Sequence, residues 1–187
     1  MAQSMSLESA NFQFLQSHDV QLVRLGALAE RYFRDDPSTC LMKLRQFAEV
    51  LAQLTAAKTG LFVSTEESQV DLLRRLKVER VLSQEVTDLF HQIRLVGNQA
   101  AHQDTGNHES ALTTLKMARS LGIWFHRTFG NDRQFKAGAF VPPPNPVDVT
   151  AELAEDLKLL RIELRATRSE AEQAKLAAEE QTRAVMS

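Results

Sequence analysis

The chain has 187 residues, 43% of them apolar, which is enough to close one hydrophobic core and carry an appendage. Its charges nearly cancel to a formal net of −2, so it has no basic excess of the kind that marks strong DNA, RNA or acidic-lipid binding. The single cysteine, Cys40, excludes an internal disulfide and points to a reducing compartment; with no long apolar run and no basic, apolar leader at its start, the sequence reads as cytoplasmic and non-membrane.

Glycine and proline are scarce, and four of the five prolines fall between Pro142 and Pro146, so helices are expected almost throughout. Residues 1–18 form a lead in which Phe12, Phe14 and Leu15 make an apolar hook. A helical bundle follows over 19–130. Its first helix runs from Asp19 to Arg34, with Leu22, Leu25, Leu28 or Ala29, Tyr32 and Phe33 at helical spacing and Gly26 as its weak spot. Asp36 before Pro37 is a capping acceptor followed by a ring with preset φ, and starts a second helix that Gly60 ends. Leu41, Leu44, Phe47, Ala48, Leu51 and Leu54 are its apolar series, and Lys43, Arg45, Glu49 and Lys58 lie outside it.

After a loop from Gly60 to Ser68, Val70 to Val81 reads as a shorter helix with Leu72, Leu73 and Leu76 inward. Ser83 caps the next helix, Gln84 to Gln103, which ends in the loop Asp104 to Asn107. Asn107 caps a last bundle helix that carries Leu115, Leu121, Trp124 and Phe125 and stops at Gly130; the Trp124 and Phe125 pair reads as core rather than as a platform for a base.

Residues 131–146 read as an irregular, proline-stiffened linker and the place of the domain boundary. From Val147 to Ser187 the chain is a long charged helix in which Leu153, Leu157, Leu160 and Leu164 alternate spacings of four and three, the seam of a coiled coil. The register continues through Thr167, Ala171, Ala174, Ala178, Gln181 and Val185. Pairing with another helix is the expectation, and a helix folding back on the body is the alternative. The sequence stops without a capping signal, as a fragment of a longer chain would.

The chemistry-bearing residues concentrate on the helix from Gln84 to Gln103. His91, Arg94, Asn98 and His102 share a stripe roughly 80° wide, and Val86, Leu89, Ile93, Val96 and Ala100 line another face. Such a stripe is either a solvated polar face or a place for a phosphate or carboxylate. No metal site is expected, because His91 and His102 stand about 16 Å apart along the axis and His108 and His126 lack an HExxH or cysteine partner. Nothing resembles a GxSxG turn, a phosphate-binding glycine loop or a paired Cys–His nucleophile, so no cofactor is expected either. Arg74, Arg75, Lys77 and Arg80 form a basic cluster that reads as a solvated face, with weak phosphate binding as its alternative.

The runs Asn11 to Leu15, Asp35 to Pro37, Lys43 to Glu49, Asp71 to Leu73, Phe90 to His102 and Ile123 to Phe125 together resemble the N-terminal domain of type I restriction enzyme R subunits. That domain is similar to the HEPN superfamily of helical bundles, several of which are metal-independent ribonucleases. The resemblance implies an all-α fold, a HEPN-like bundle of four or five helices followed by the long helix. It implies a role in restriction-modification and phage defence, within a subunit that as a whole is an ATP-dependent deoxyribonuclease with its nuclease and motor domains beyond this chain.

Nuclease members of that superfamily place an arginine, a polar residue and then a histidine a turn later on one helix. Asn98 and His102 match the last two, Gly97 stands at the arginine, and Arg94 comes a turn too early. Without the cation that stabilises the phosphorane, Gly97, Asn98 and His102 read as a structural motif. A non-catalytic docking module is then the expectation, with protein partners: other parts or subunits of a restriction complex, or a second copy through the long helix. The alternative is a ribonuclease using His102 and Arg94.

Overall fold

A computed structural model describes residues 7–103, 106–144 and 146–185, with side chains for all of these except 146–152, 182, 184 and 185. Asp104 and Thr105 of the expected loop, the Val185 side chain at the end of the seam, and the last two residues lie outside the described residues. The described structure is all helical: a 3₁₀ turn Gln13–Ser17, then α1 Val20–Tyr32, α2 Pro37–Lys58, α3 Gln69–Val78, α4 Gln84–Gln103, α5 His108–Phe129 and α6 Pro146–Val185. Two compact units divide it, residues 1–143 and 144–187.

Capping groups set most of the starts. The Asp36 carboxylate accepts the Thr39 amide at 2.9 Å and the Thr39 hydroxyl, and these bonds hold its pKa below the ordinary carboxylate value. Asp19 accepts from the Gln21 amide, Ser83 from the Val86 amide, and Asn107 and Ser110 exchange bonds in a capping box. Two helix ends differ from expectation, and the first is that of α1, which closes at Tyr32 rather than Arg34. α3 stops at Val78 rather than Val81, because Arg80 adopts a left-handed φ of 59° that lets the Val81 amide reach the Leu76 carbonyl at 2.9 Å.

In the first unit α2 is the central helix and packs against α1, α3, α4 and α5. Leu41, Leu44, Phe47, Ala48 and Leu51 are fully enclosed there, with Leu22, Leu73, Leu76, Phe90, Ile93, Leu115, Leu121 and Phe125 from its neighbours. Each such leucine or phenylalanine contributes about 1.5–3 kcal/mol by leaving water. Cys40 belongs to the same core, and burial, helped by Glu30 and Asp36, pushes its thiol pKa up to about 12, so it acts as a small apolar side chain.

The N-terminal hook is part of this core. Phe12 and Leu15 are wholly buried, and the Phe12 ring stacks at 5.0 Å on Phe47. Gly26 is therefore a seat rather than a weak spot: a Cβ there would lie 2.5 Å from the Phe12 ring. Glu30 of α1 accepts from the Ser9 hydroxyl and from both the amide and side chain of Asn11.

The segment after α5 is irregular as its sequence implies, yet its first part is tied down. Arg127 donates to the Phe135 carbonyl, Arg119 to those of Ala137 and Gly138, and Asn11 exchanges two hydrogen bonds with the Val141 backbone, at 2.7 and 2.8 Å. The start and the end of the first unit are thus clasped to each other.

The second unit is α6, forty residues that begin with Pro146 at the first helical position. Among the described residues no helix is long and apolar enough to cross a membrane. Phe12→Ala is expected to lower the free energy of unfolding by about 3–5 kcal/mol, because it empties a site between Gly26 and Phe47 that no solvent-exposed group can fill. Urea titration followed by helical circular dichroism measures this, and a loss under 1 kcal/mol would mean the hook is peripheral.

Candidate functional site

Helix α4 sits between a buried face and a polar one. Val86, Thr87, Phe90, Ile93, Gly97 and Ala100 are buried, with Leu89 and Val96 half-buried beside them. Phe90 and Thr87 extend the apolar face beyond the residues that simple spacing picks out. The polar stripe grades outward along the helix: His91, Arg94 and Asn98 are half-buried, and His102, in the last turn, is exposed.

The pKa of His91 is lowered mainly by burial, then by the positive charge of Arg94 and, more weakly, of Lys77, with Asp88 opposing. Its imidazole is therefore neutral at physiological pH. Arg94 has its Nε enclosed without a hydrogen-bond partner among the described residues, and so has Arg45 of α2. Arg94 and His102 are eight residues apart, about 12 Å along one axis, so they do not meet at a common atom by helix geometry alone.

Gly97 marks the crossing of α4 with α2. A Cβ there would come within 2.6 Å of Arg45 Cβ and 3.1 Å of the Leu41 carbonyl oxygen, so the aliphatic stem of Arg45 occupies the space a side chain at 97 would need. Arg45 lies outside the apolar series of α2, and only the packed structure reveals its role. Gly97, Asn98 and His102 therefore do not present one continuous cleft: the first is sealed by α2, the second is half-covered and the third faces outward.

The other charged candidates are divided. Arg75 clamps the loop before α3, bonding both carboxylate oxygens of Glu67 and the Leu61 carbonyl, and Arg74 pairs with Asp71 at 3.2 Å. Among the described residues no three His, Cys, Asp or Glu side chains are grouped to hold a metal ion. Phe125 is fully enclosed in the core and lies tilted on Phe129, while half-buried Trp124 packs against that core edge-on to Phe90, Phe125 and Phe129.

A second histidine site has no signature in the sequence. His18 Nε2 and His126 Nδ1 lie 2.9 Å apart, though 108 residues separate them, with the rings of Phe14, Phe125 and Phe135 against them. Burial lowers the His18 pKa first, followed by the charges of His126 and Lys58. One ring must donate and the other accept, so this bond requires at least one neutral imidazole.

Residues 28–129, from within α1 to the end of α5, match the family model described as a domain of unknown function, DUF4145, which covers more than half of the chain. The chain belongs to the DUF4145 family. Over 139 residues it is 32% identical to the type I restriction enzyme EcoKI endonuclease subunit of Escherichia coli (strain K12), a match that takes in 73% of this chain and 12% of that protein. The chain thus spans about an eighth of the length of that relative. No solved structure matches it. Within this DUF4145 member the hook, the tied segment around Val141 and α6 all lie outside the family match, although the hook completes the same core and the Val141 backbone is bonded to it.

Two measurements probe this geometry. Gly97→Ala is expected to destabilise by roughly 1–2 kcal/mol, because overpacking against Arg45 and the Leu41 carbonyl outweighs the better helix propensity of alanine; Gly97→Arg should cost more. A neutral or stabilising Gly97→Ala in urea titration would show that α2 and α4 do not pack this closely. His18 is held below its unfolded value of 6.5, so the unfolded chain binds more protons at mildly acid pH. Stability should be complete above that value, decline as pH falls below it and level off beneath the folded-state pKa. His18→Gln should flatten the decline between pH 7.5 and 5, and an unchanged slope would remove His18 as its source.

Proposed function

We propose that this chain is a non-catalytic helical docking module of a type I restriction system, serving DNA restriction and phage defence. The relationship to an endonuclease subunit supports the system, and the short share of that subunit spanned here supports attributing its DNA cleavage to regions this chain does not include. The observation that carries the non-catalytic part is the Arg45 stem packed across Gly97. At that position the HEPN-type ribonucleases require the cation that stabilises a pentavalent phosphate, and here the space belongs to a helix crossing. A HEPN-like bundle of residues 19–130, a proline-rich exit over 131–146 and a charged helix from 147 fit this reading. The first provides a rigid body and the last an attachment surface, with protein partners in the restriction complex.

The competing reading is a metal-independent ribonuclease. It draws on Asn98 and His102, one turn apart on the outward end of the stripe, with Arg94 as the cation. Both readings keep the protein in the cytoplasm, and neither needs a cofactor.

Single-stranded RNA incubated with the wild-type chain and with His102→Ala separates them. The docking reading expects intact RNA in both; cleavage by the wild type that the substitution abolishes overturns it. The tagged chain, co-expressed with the type I restriction subunits of its own host, should also recover at least one of them through purification in moderate salt. Recovery of none would remove the docking role.

A further inference from the structure

Helix α6 carries an exposed apolar seam: Leu153, Leu157, Leu160 and Leu164 are 57%, 55%, 60% and 69% exposed. Charge pattern identifies what covers it. With Leu157 and Leu164 at a positions and Leu153 and Leu160 at d positions, Thr167, Ala171, Ala174, Ala178 and Gln181 continue the register. The flanking g positions Asp156, Glu163 and Glu170 are acidic and Ala177 is neutral, whereas the flanking e positions Arg161, Arg168 and Lys175 are basic and Ala154 is neutral. All the charge on one edge of the seam is negative and all the charge on the other is positive.

This segregation selects both a partner and a direction. In a parallel, in-register pair each g residue faces the e residue five positions later on the other helix, which matches Asp156 with Arg161, Glu163 with Arg168 and Glu170 with Lys175, twice over by symmetry. In an antiparallel pair g faces g and e faces e, so every flanking contact is between like charges. We infer that α6 pairs with α6 of a second copy of this chain as a parallel, in-register, two-stranded coiled coil. The inference names the partner of the α6 surface within the docking reading above, and rests on that reading for the use of this surface.

The local structure is compatible with such a pair. Leu160, Glu163, Leu164, Thr167, Arg168 and Ala171 are neighbours at spacings of three and four along this exposed surface, the arrangement that receives a knob from a facing helix. Arg168 leans on Glu172 of its own helix at 3.5 Å, an exposed and weak contact that it can exchange for Glu163 of the second copy. Leucine fills the first two heptads and alanine the later ones, so the packing is strongest near Leu153 and narrows toward Gln181. Leu159 and Ile162 lie on the far side of the helix and take no part in a two-stranded pair.

Sedimentation equilibrium of the 187-residue chain at roughly 100 micromolar should give twice the monomer mass. A monomer overturns the inference, and if that monomer still recovers restriction subunits the docking reading survives without it. Direction is read by Gln181→Cys, a substitution at an exposed d position: mild oxidation should link two copies in a parallel pair, with the wild-type chain, whose one thiol is the buried Cys40, as control. A dimer that fails to cross-link at 181 overturns the parallel register, because antiparallel pairing leaves those sites tens of ångströms apart.

The charges are read by exchange. Glu163→Lys/Glu170→Lys should weaken self-association at least tenfold, and mixing that variant with Arg168→Glu/Lys175→Glu should restore a dimer containing one copy of each. Unchanged self-association of either double variant would show that the charged edges do not choose the partner. All four positions are exposed, so the bundle is untouched by these changes.

Discussion

The close approach of α2 to α4 governs the rest of the bundle. α2 is the helix against which four others pack, and α4 reaches it where Gly97 lacks a side chain and Arg45 lays its stem in the space. That contact fixes the rotation of α4 about its axis, which decides what its polar residues can do. With Gly97 turned into the crossing, Phe90 and Ile93 are carried into the core, Arg94 and His91 are left at its margin, and His102 is directed outward. On the docking reading proposed above, the glycine that permits this packing also leaves no cation at the place where a phosphate-cleaving site would use one.

The stretch shared by the family is not the whole folding unit. Residues 28–129 include the α2–α4 crossing but leave out Phe12 and Leu15, both fully enclosed, and the first half of α1 that carries Gly26. Phe12 between Gly26 and Phe47, Glu30 bonded to Ser9 and Asn11, and Asn11 bonded to the Val141 backbone close the bundle from both ends. Deleting either flank would uncover aromatic surface and leave Glu30 or Asn11 with unmet bonds.

Helix positions were legible because they are local. Asp36 before Pro37, Ser83, Asn107 and the spacing of leucines act within a few residues, and the all-helical class and nearly every boundary follow from them. Where local rules misled, a distant group was responsible. Gly26 reads as a weak spot until Phe12 is seen above it; Arg45 simply falls outside the apolar series until Gly97 is placed beside it. Arg80 carries no turn signal, yet its left-handed backbone ends α3 early. The His18–His126 bond joins residues 108 apart, and no single-sequence signal reports such a pair. The stripe from His91 to His102 was visible as a stripe, but its outward gradient in exposure depends on the α2 crossing and is invisible to periodicity.

The two units solve opposite problems. The bundle encloses most of its leucines and phenylalanines, with Cys40 among them, and part of its charge is engaged locally, as in the Arg75 clamp on Glu67. α6 does the reverse, exposing leucines along a seam whose edges carry sorted charge. A helix forty residues long gains little from its own weak i,i+3 and i,i+4 ion pairs, so burial against another helix is the main source of stability left to it. Sorting acids to one edge and bases to the other adds nothing to a lone helix, since the spacing within the helix is indifferent to which edge is which. It matters only when a second helix lies alongside, and it then favours a copy running in the same direction.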